Sequence, residues 1–232
     1  MTFTLCLSAL LKFLLGVVLV AALLFIPAGT LNYPNAILLM VILFVPMFLA
    51  GLVLMVKNPV LLRRRLKVKE EQGEQRKIIA ATGFMFVVGF ILAGLDFRLD
   101  WLPLPQIISK VSALLFLLAY ALYAEVLREN TYLSRTVMVE EEQKVINTGL
   151  YGLVRHPMYS ATIILFLTMP LVLGSLIAFL VFLPYPIMII KRLKNEEQVL
   201  SKELTGYTEY QKKVRYRLIP YIWGSLSTVV GR

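Results

Sequence analysis

The stretch Ala36–Val56, AILLMVILFVPMFLAGLVLMV, decides the fold class, because it holds about 20 consecutive apolar residues without a charge. An apolar helix of this length crosses the ~30 Å hydrocarbon core of a bilayer. Lipid offers no hydrogen-bond partners to the backbone, so such a segment must be a helix rather than an open strand. The sequence therefore predicts an integral membrane protein.

Three more stretches predict spans of the same kind, namely Leu5–Ile26, Ile78–Leu95 and Ile107–Leu127. The first resembles a signal peptide, but its apolar part is longer than such a segment needs and Lys12 interrupts it, so we expect a retained helix.

The apolar stretch Met158–Ile190 is too long for one crossing and short for two. Prolines and the Gly174-Ser175 pair interrupt it, so we expect a helical hairpin that turns near Gly174. The following residues show helical periodicity around Glu196–Val214. We predict an all-α, polytopic membrane protein with about five transmembrane segments, the last a hairpin, and a cytoplasmic C-terminal helix.

The composition agrees with a membrane location and excludes several classes of site. Hydrophobic residues make up 59% of the chain, mean hydropathy is +0.77, and the net charge is +10. The basic residues lie between the apolar runs, which fits lipid headgroups or an anionic ligand better than nucleic acid. The single Cys6 and the single His156 exclude a disulfide, a thiolate metal site and a multi-histidine metal centre.

Lysine and arginine concentrate in residues 57–77, in residues 128–155 and after residue 190. The positive-inside rule puts these segments in the cytoplasm. Counting the spans from a cytoplasmic N-terminus gives the same answer, so both termini are predicted to be cytoplasmic.

The first polar feature on that side is the segment Thr148–Tyr159. Its glycines let the backbone approach a ligand closely, and Pro157 pre-sets the first turn of a helix whose N-terminus suits a carboxylate or phosphate. Tyr151 and Tyr159 offer aromatic faces for stacking or for a cation. The alternative is an interfacial loop with a snorkelling Arg155 and a capping His156.

Two further polar features follow. Arg192 and Glu196 are four residues apart and share a helix face, with Glu197 beside them. They form either a solvated salt bridge or a site in which Arg192 binds an anion and Glu196 binds an ammonium group. The segment Glu203–Pro220 predicts a basic amphipathic helix on an anionic leaflet, and it is also a candidate lid over the site.

In this order, the three features resemble the isoprenylcysteine carboxyl methyltransferase family, within a wider group that includes phospholipid N-methyltransferases. The motifs are Gly149-Leu150-Tyr151 through Arg155-His156-Pro157-Met158-Tyr159, Arg192 with Glu196-Glu197, and Tyr207-Thr208-Glu209-Tyr210 with Val214 and Pro220. The resemblance divides the chain into N-terminal transmembrane helices (1–127) and a cofactor-binding catalytic region (128–232).

The resemblance implies S-adenosylmethionine as the methyl donor, in a cytoplasmic pocket. It implies cofactor contacts from Gln143, Ile146, Tyr151, His156, Pro157, Met158, Tyr159 and Glu196. It implies that Arg192 binds the methyl acceptor. Tyr159 and Glu197 complete the predicted catalytic set. In the family, a glutamine just upstream of this loop also binds the cofactor. The corresponding residues here, Val137–Glu140, include no glutamine.

The chemistry implied by the resemblance needs neither a metal nor an obligatory base, since a sulfonium methyl is electrophilic and a carboxylate is nucleophilic. The protein must align the two and exclude water. The implied acceptor is a prenylcysteine-like or other lipophilic carboxylate whose tail enters from the bilayer, among membrane lipids. An amine acceptor would need a base, with Glu196, Glu197 or Tyr159 as candidates.

Two other functions stay open at this stage. Membrane sterol reductases, which use NADPH, also carry an Arg-His-Pro-x-Tyr element and end in a run similar to Val214–Ile222. The Glu196-Glu197 pair after Arg192 looks like the methyltransferase form, and the N-terminal half lacks the extra spans expected of a sterol reductase. The other alternative is a non-enzymatic membrane protein that keeps the scaffold.

Overall fold

The computed structural model describes residues 3–66, 73–133, 139 and 143–224, and these residues are mainly helical. The α-helices are α1 (Phe3–Ala28), α2 (Pro34–Lys57), α3 (Pro59–Leu66), α4 (Gly73–Leu99), α5 (Gln106–Glu129), α6 (Pro157–Val172), α7 (Leu176–Phe182), α8 (Tyr185–Glu203) and α9 (Tyr207–Lys213), with a 3₁₀ turn at Gly149–Gly152. Isolated bridges join Pro103 to Ser175 and Tyr216 to Gly224.

Among the described residues, five helical segments are long and apolar enough to cross a membrane: α1, α2, α4, α5 and the run from Leu176 to Glu203. Many of their apolar side chains point outward, such as Leu15, Phe84 and Leu180, which are 68%, 72% and 54% exposed. Such surfaces suit lipid rather than water. The predicted all-α, polytopic membrane fold is confirmed.

The predicted hairpin is also confirmed. The shorter helix α6 forms its first arm, and α7 with α8 forms the second. Gly174 makes the turn with φ +79°, a left-handed conformation in which side chains other than that of glycine are strained. The Ser175 hydroxyl then accepts a hydrogen bond from the Ala178 amide, which caps α7.

The far end of the hairpin is fastened by buried polar groups. The Tyr33 hydroxyl donates to the Leu173 carbonyl at 2.7 Å. The Asp96 carboxylate accepts from the Ser175 hydroxyl at 2.5 Å and from the Leu102 amide at 2.8 Å. Because buried polar groups are costly unless bonded, these contacts specify where the chain turns back.

The structure corrects two expectations about the segments that were predicted to be cytoplasmic. The periodicity around Glu196–Val214 predicted one helix, but Gly206 has φ +85°, so the chain turns there and α9 is separate from α8. The basic loop 57–77 contains a short helix that the sequence did not predict. The Asn58 side chain begins that helix by accepting from the Leu61 amide at 3.0 Å.

Candidate functional site

The hairpin arms and the segments flanking them line a cavity at the end of the hairpin opposite its turn. It is lined by Asn130, Tyr132, Leu133, Gln143, Lys144, Val145, Ile146, Tyr151, Arg155, His156, Met158, Tyr159, Arg192, Glu196, Leu200, Leu204, Tyr207 and Tyr210. Residues far apart in the chain therefore line the same cavity.

One face of α8 supplies a charged wall of the cavity. Arg192, Glu196 and Leu200 are spaced by four residues, so their side chains lie above one another. The Arg192 Nε donates to the Tyr159 hydroxyl at 3.0 Å, and that hydroxyl donates to Glu196 Oε2. Tyr159 thus links Arg192 and Glu196 into one hydrogen-bonded triad.

Glu197 lies on the other side of α8, outside the cavity lining, and is 6% exposed. Its Oε1 accepts from Arg155 Nε at 2.7 Å and lies 3.3 Å from His156 Nε2. Its Oε2 accepts from Arg217 Nε at 2.9 Å. Removing one partner from such a buried ion cluster leaves an uncompensated charge, which costs about 3–5 kcal/mol.

The same cluster holds the C-terminal segment behind the cavity. Arg155 also donates from its side chain to the Val214 carbonyl at 3.0 Å. Its main-chain amide donates to the Tyr216 carbonyl, and the His156 amide donates to the Arg217 carbonyl, both at 2.9 Å. The interfacial alternative with a snorkelling Arg155 is wrong, because this side chain is buried and ion-paired rather than directed to a headgroup.

Three tyrosines form another polar part of the cavity lining. Tyr210 donates from its hydroxyl to the Tyr151 carbonyl at 2.7 Å, and Asn130 donates to the Tyr151 hydroxyl at 3.0 Å. Burial raises the pKa of Tyr151 and of Tyr210. Burial also raises the pKa of Tyr207, and the nearby charge of Glu197 adds to that rise. All three phenols therefore stay protonated and able to donate.

Gly149 does not serve to bring the backbone close to a ligand, which is the role that the sequence suggested. Its φ is +48°, and a Cβ at this position would overlap the Glu129 carboxylate. That carboxylate instead accepts from the Leu150 amide at 3.0 Å. The glycine is thus required by a tight turn against Glu129 rather than by a ligand, and it holds the loop that presents Tyr151.

Most predicted site residues meet at this cavity. Its lining includes Gln143, Ile146, Tyr151, His156, Met158, Tyr159, Arg192 and Glu196. Pro157 begins α6 and is buried next to the lining, and Glu197 is behind it. Of Val137–Glu140, where the family's glutamine has no counterpart, only Val139 is among the described residues.

Sequence reasoning missed several cavity residues. Leu200 and Leu204 continue the four-residue spacing of Arg192 and Glu196, and this signal was available. The Tyr207 and Tyr210 pair was part of a motif but was not assigned to the site. Within residues 3–66, 73–133, 139 and 143–224, no three His, Cys, Asp or Glu side chains are grouped to hold a metal ion.

Residues 111–202 match the sequence model of the "Isoprenylcysteine carboxyl methyltransferase (ICMT) family". The resemblance to that family is thereby confirmed. The ICMT-matching segment holds Tyr151, Tyr159, Arg192, Glu196 and Glu197. The α9 tyrosines and Arg217 lie beyond it.

Two relatives illustrate how far the likeness extends. The chain is 31% identical over 91 residues to "Delta(14)-sterol reductase TM7SF2" of Mus musculus, covering 38% of this chain and 22% of that protein. The match thus spans about a fifth of the curated relative's length. A solved structure of the "eukaryotic intramembrane Ras methyltransferase ICMT" is 14% identical, with a TM-score of 0.47, covering 97% of this chain and 88% of that chain.

Proposed function

We propose that this protein is a membrane-embedded methyltransferase that uses S-adenosylmethionine and methylates the carboxylate of a lipophilic, prenylcysteine-like acceptor. The observation that carries the proposal is the Arg192–Tyr159–Glu196 triad, which lines the cavity within the ICMT-matching segment. It offers an anion-binding group and an ammonium-binding group side by side.

The residues of the cavity fit the proposed cofactor. Its amino-acid part carries an ammonium group, and Glu196 provides a carboxylate in the lining. Its sulfonium and adenine suit aromatic faces, which Tyr151 and Tyr207 supply. Gln143, Ile146, His156 and Met158 complete the proposed contacts, and Pro157 fixes the start of α6 beneath them.

When bound, S-adenosylmethionine supplies an electrophilic methyl group on its sulfonium. The task of the protein is then to hold the acceptor carboxylate in line with that methyl and to keep water away. Arg192 is the proposed acceptor-binding group, because its planar guanidinium can take both oxygens of a carboxylate. Tyr159 keeps the guanidinium in place through its bond to Nε.

Glu197 receives a positioning role rather than a catalytic one. Its two oxygens already accept from Arg155 and Arg217, and it lies outside the cavity lining. A carboxylate engaged in this way is a poor proton acceptor. Glu197 links α8 to the C-terminal segment, and it thereby fixes the turn of α8 that carries Glu196.

The membrane position of the cavity supports a lipophilic acceptor. The cavity opens at the end of a membrane hairpin, and the spanning helices expose many apolar side chains. A lipid tail can therefore stay in the bilayer while the reactive end meets a water-soluble cofactor. The charge distribution supports cytoplasmic N- and C-termini, with the cavity at the cytoplasmic leaflet.

The sterol reductase relative supports a second candidate, an NADPH-dependent oxidoreductase. Comparing the melting temperature of the purified protein with S-adenosylhomocysteine and with NADPH separates the two. We expect stabilisation by S-adenosylhomocysteine alone. Stabilisation by NADPH alone would contradict the methyltransferase proposal.

The acceptor class is tested by methyl transfer from labelled S-adenosylmethionine. The panel contains a prenylcysteine analogue, a small apolar acid and phosphatidylethanolamine, so that it compares carboxylates with an amine. We expect base-labile methyl esters on the carboxylates. Labelled phosphatidylethanolamine with no ester product would instead favour a phospholipid N-methyltransferase.

A further inference from the structure

Helix α4 carries a regular stripe of residues against the second arm of the hairpin. Four positions on it, each seven residues apart, have partners on that arm: Gln75 with Asn195, Thr82 with Met188, Gly89 with Phe182, and Asp96 with Ser175. A seven-residue spacing keeps one helix face turned toward a partner over many turns. Helix α4 therefore packs antiparallel against the second arm along its length.

The middle of the stripe allows close packing. The Thr82 hydroxyl lies 3.7 Å from the Met188 sulfur. A Cβ on Gly89 would lie 2.3 Å from a Phe182 ring carbon, so only glycine fits at this contact. Helix α4 and the second arm are thus held at one separation and one register.

The two ends of the stripe are polar and fasten the two ends of the hairpin arm. Asp96 and Gln75 are separated by roughly 32 Å of helix, about the thickness of the hydrocarbon core. Asp96 bonds Ser175 at the hairpin turn. Gln75 bonds the other end of the arm, where the cavity lies.

The contact of Gln75 falls on the turn of α8 that carries two cavity residues. Its side chain is fully buried, and its Nε2 donates to Asn195 Oδ1 at 2.7 Å and to the Arg192 carbonyl at 3.3 Å. In an α-helix the Arg192 carbonyl also accepts from the Glu196 amide. The Gln75 side chain thus bonds the carbonyl whose helical hydrogen bond joins Arg192 to Glu196.

Stability alone does not account for a buried amide at this position. Among the described residues, the Gln75 Oε1 has no hydrogen-bond partner. A buried polar atom without a partner is destabilising, whereas an apolar side chain of the same length would not carry this penalty. The amide therefore has a role other than filling space between α4 and α8.

We infer that Gln75 is a positioning residue that fixes the Arg192–Glu196 turn against the acceptor and the cofactor. The inference rests on the proposed function, and it extends the site to a helix outside the ICMT-matching segment. Misplacing acceptor-binding groups by a fraction of an ångström lowers turnover strongly, while an apolar replacement of similar shape preserves packing.

The test is the variant Gln75→Met, which keeps the side-chain length and removes the donor. We expect its melting temperature to equal or exceed that of the wild type, while kcat for methyl transfer falls about tenfold and the Kd for S-adenosylhomocysteine rises about threefold. The matched control is Gln198→Met, an exposed glutamine on α8, and it should change none of these values.

A second variant, Asn195→Ala, removes the partner instead. It should lower kcat by about threefold, and combining it with Gln75→Met should add little, because both break the same contact. If the wild type is active, two results would overturn this inference alone. One is a fully active Gln75→Met protein, and the other is a Gln75→Met protein whose activity falls only in proportion to its stability. A wild type with neither S-adenosylhomocysteine binding nor methyl transfer would overturn it together with the proposed function.

Discussion

The two faces of α8 at its cavity end hold neighbouring glutamates in opposite surroundings. Glu196 lines the cavity beside Tyr159, whereas Glu197 is buried among Arg155, His156 and Arg217. Successive residues of a helix point about 100° apart, so one turn can serve two environments. One carboxylate remains available to a ligand, and the other is used to hold the fold together.

The largest effect should come from the buried face. Glu197→Gln keeps the shape but leaves Arg155 and Arg217 without their counter-charge, so we expect a loss of about 3–5 kcal/mol in the free energy of unfolding. Thermal unfolding in detergent measures it as a large drop in melting temperature.

The matched control is Glu203→Gln, an exposed glutamate near the end of the same helix. It should leave the melting temperature almost unchanged, because exposed charges contribute little to stability. Equal melting temperatures for the two variants would contradict the structural role of the buried cluster.

On the cavity face, a change should reduce turnover rather than stability. Arg192→Ala removes the proposed acceptor-binding group, so we expect methyl transfer to fall by at least about 100-fold with S-adenosylhomocysteine affinity retained. Arg192→Lys should restore little of the activity, since a lysine cannot bind both carboxylate oxygens in a fixed fork. Loss of cofactor binding with acceptor binding intact would reverse the assignment of this arginine.

The smallest effect should come from the tyrosines of the cavity lining. Tyr210→Phe loses one hydrogen bond to the Tyr151 carbonyl, so we expect about 0.5–1.5 kcal/mol of destabilisation. Because burial raises the pKa of Tyr210, its protonated form favours the fold. The difference between variant and wild type should therefore be constant below about pH 10 and should shrink above it, where the unfolded tyrosine ionises.

Much of the fold was predictable because a lipid bilayer permits few backbone structures to cross it. Apolar length alone located the four single spans, and the interruption at Gly174 located the hairpin turn. The short helix α3 and the break at Gly206 were not predicted. Both depend on local backbone and capping geometry at single residues, which periodicity over a longer window averages out.

The site was predictable only in part, because the sequence shows neighbours along one helix but not across helices. The Arg192 and Glu196 spacing indicated one face of α8, and the roles of both residues stay predictions. The ion partners of Glu197 lie 42 and 20 positions away along the chain. The bond from Gln75 to Asn195 spans 120 positions. Contacts of that range come from packing, which a single sequence does not reveal.

The account depends most on Glu196 holding the ammonium group of the cofactor. The direct measurement is equilibrium binding of S-adenosylhomocysteine and of its deaminated analogue to the wild type and to Glu196→Gln. We expect the variant to bind S-adenosylhomocysteine about 10- to 100-fold more weakly, from the loss of about 1.5–3 kcal/mol of charge-assisted bonding, and to bind the analogue as the wild type does. Equal losses for the two ligands, or no loss for either, would contradict the central claim.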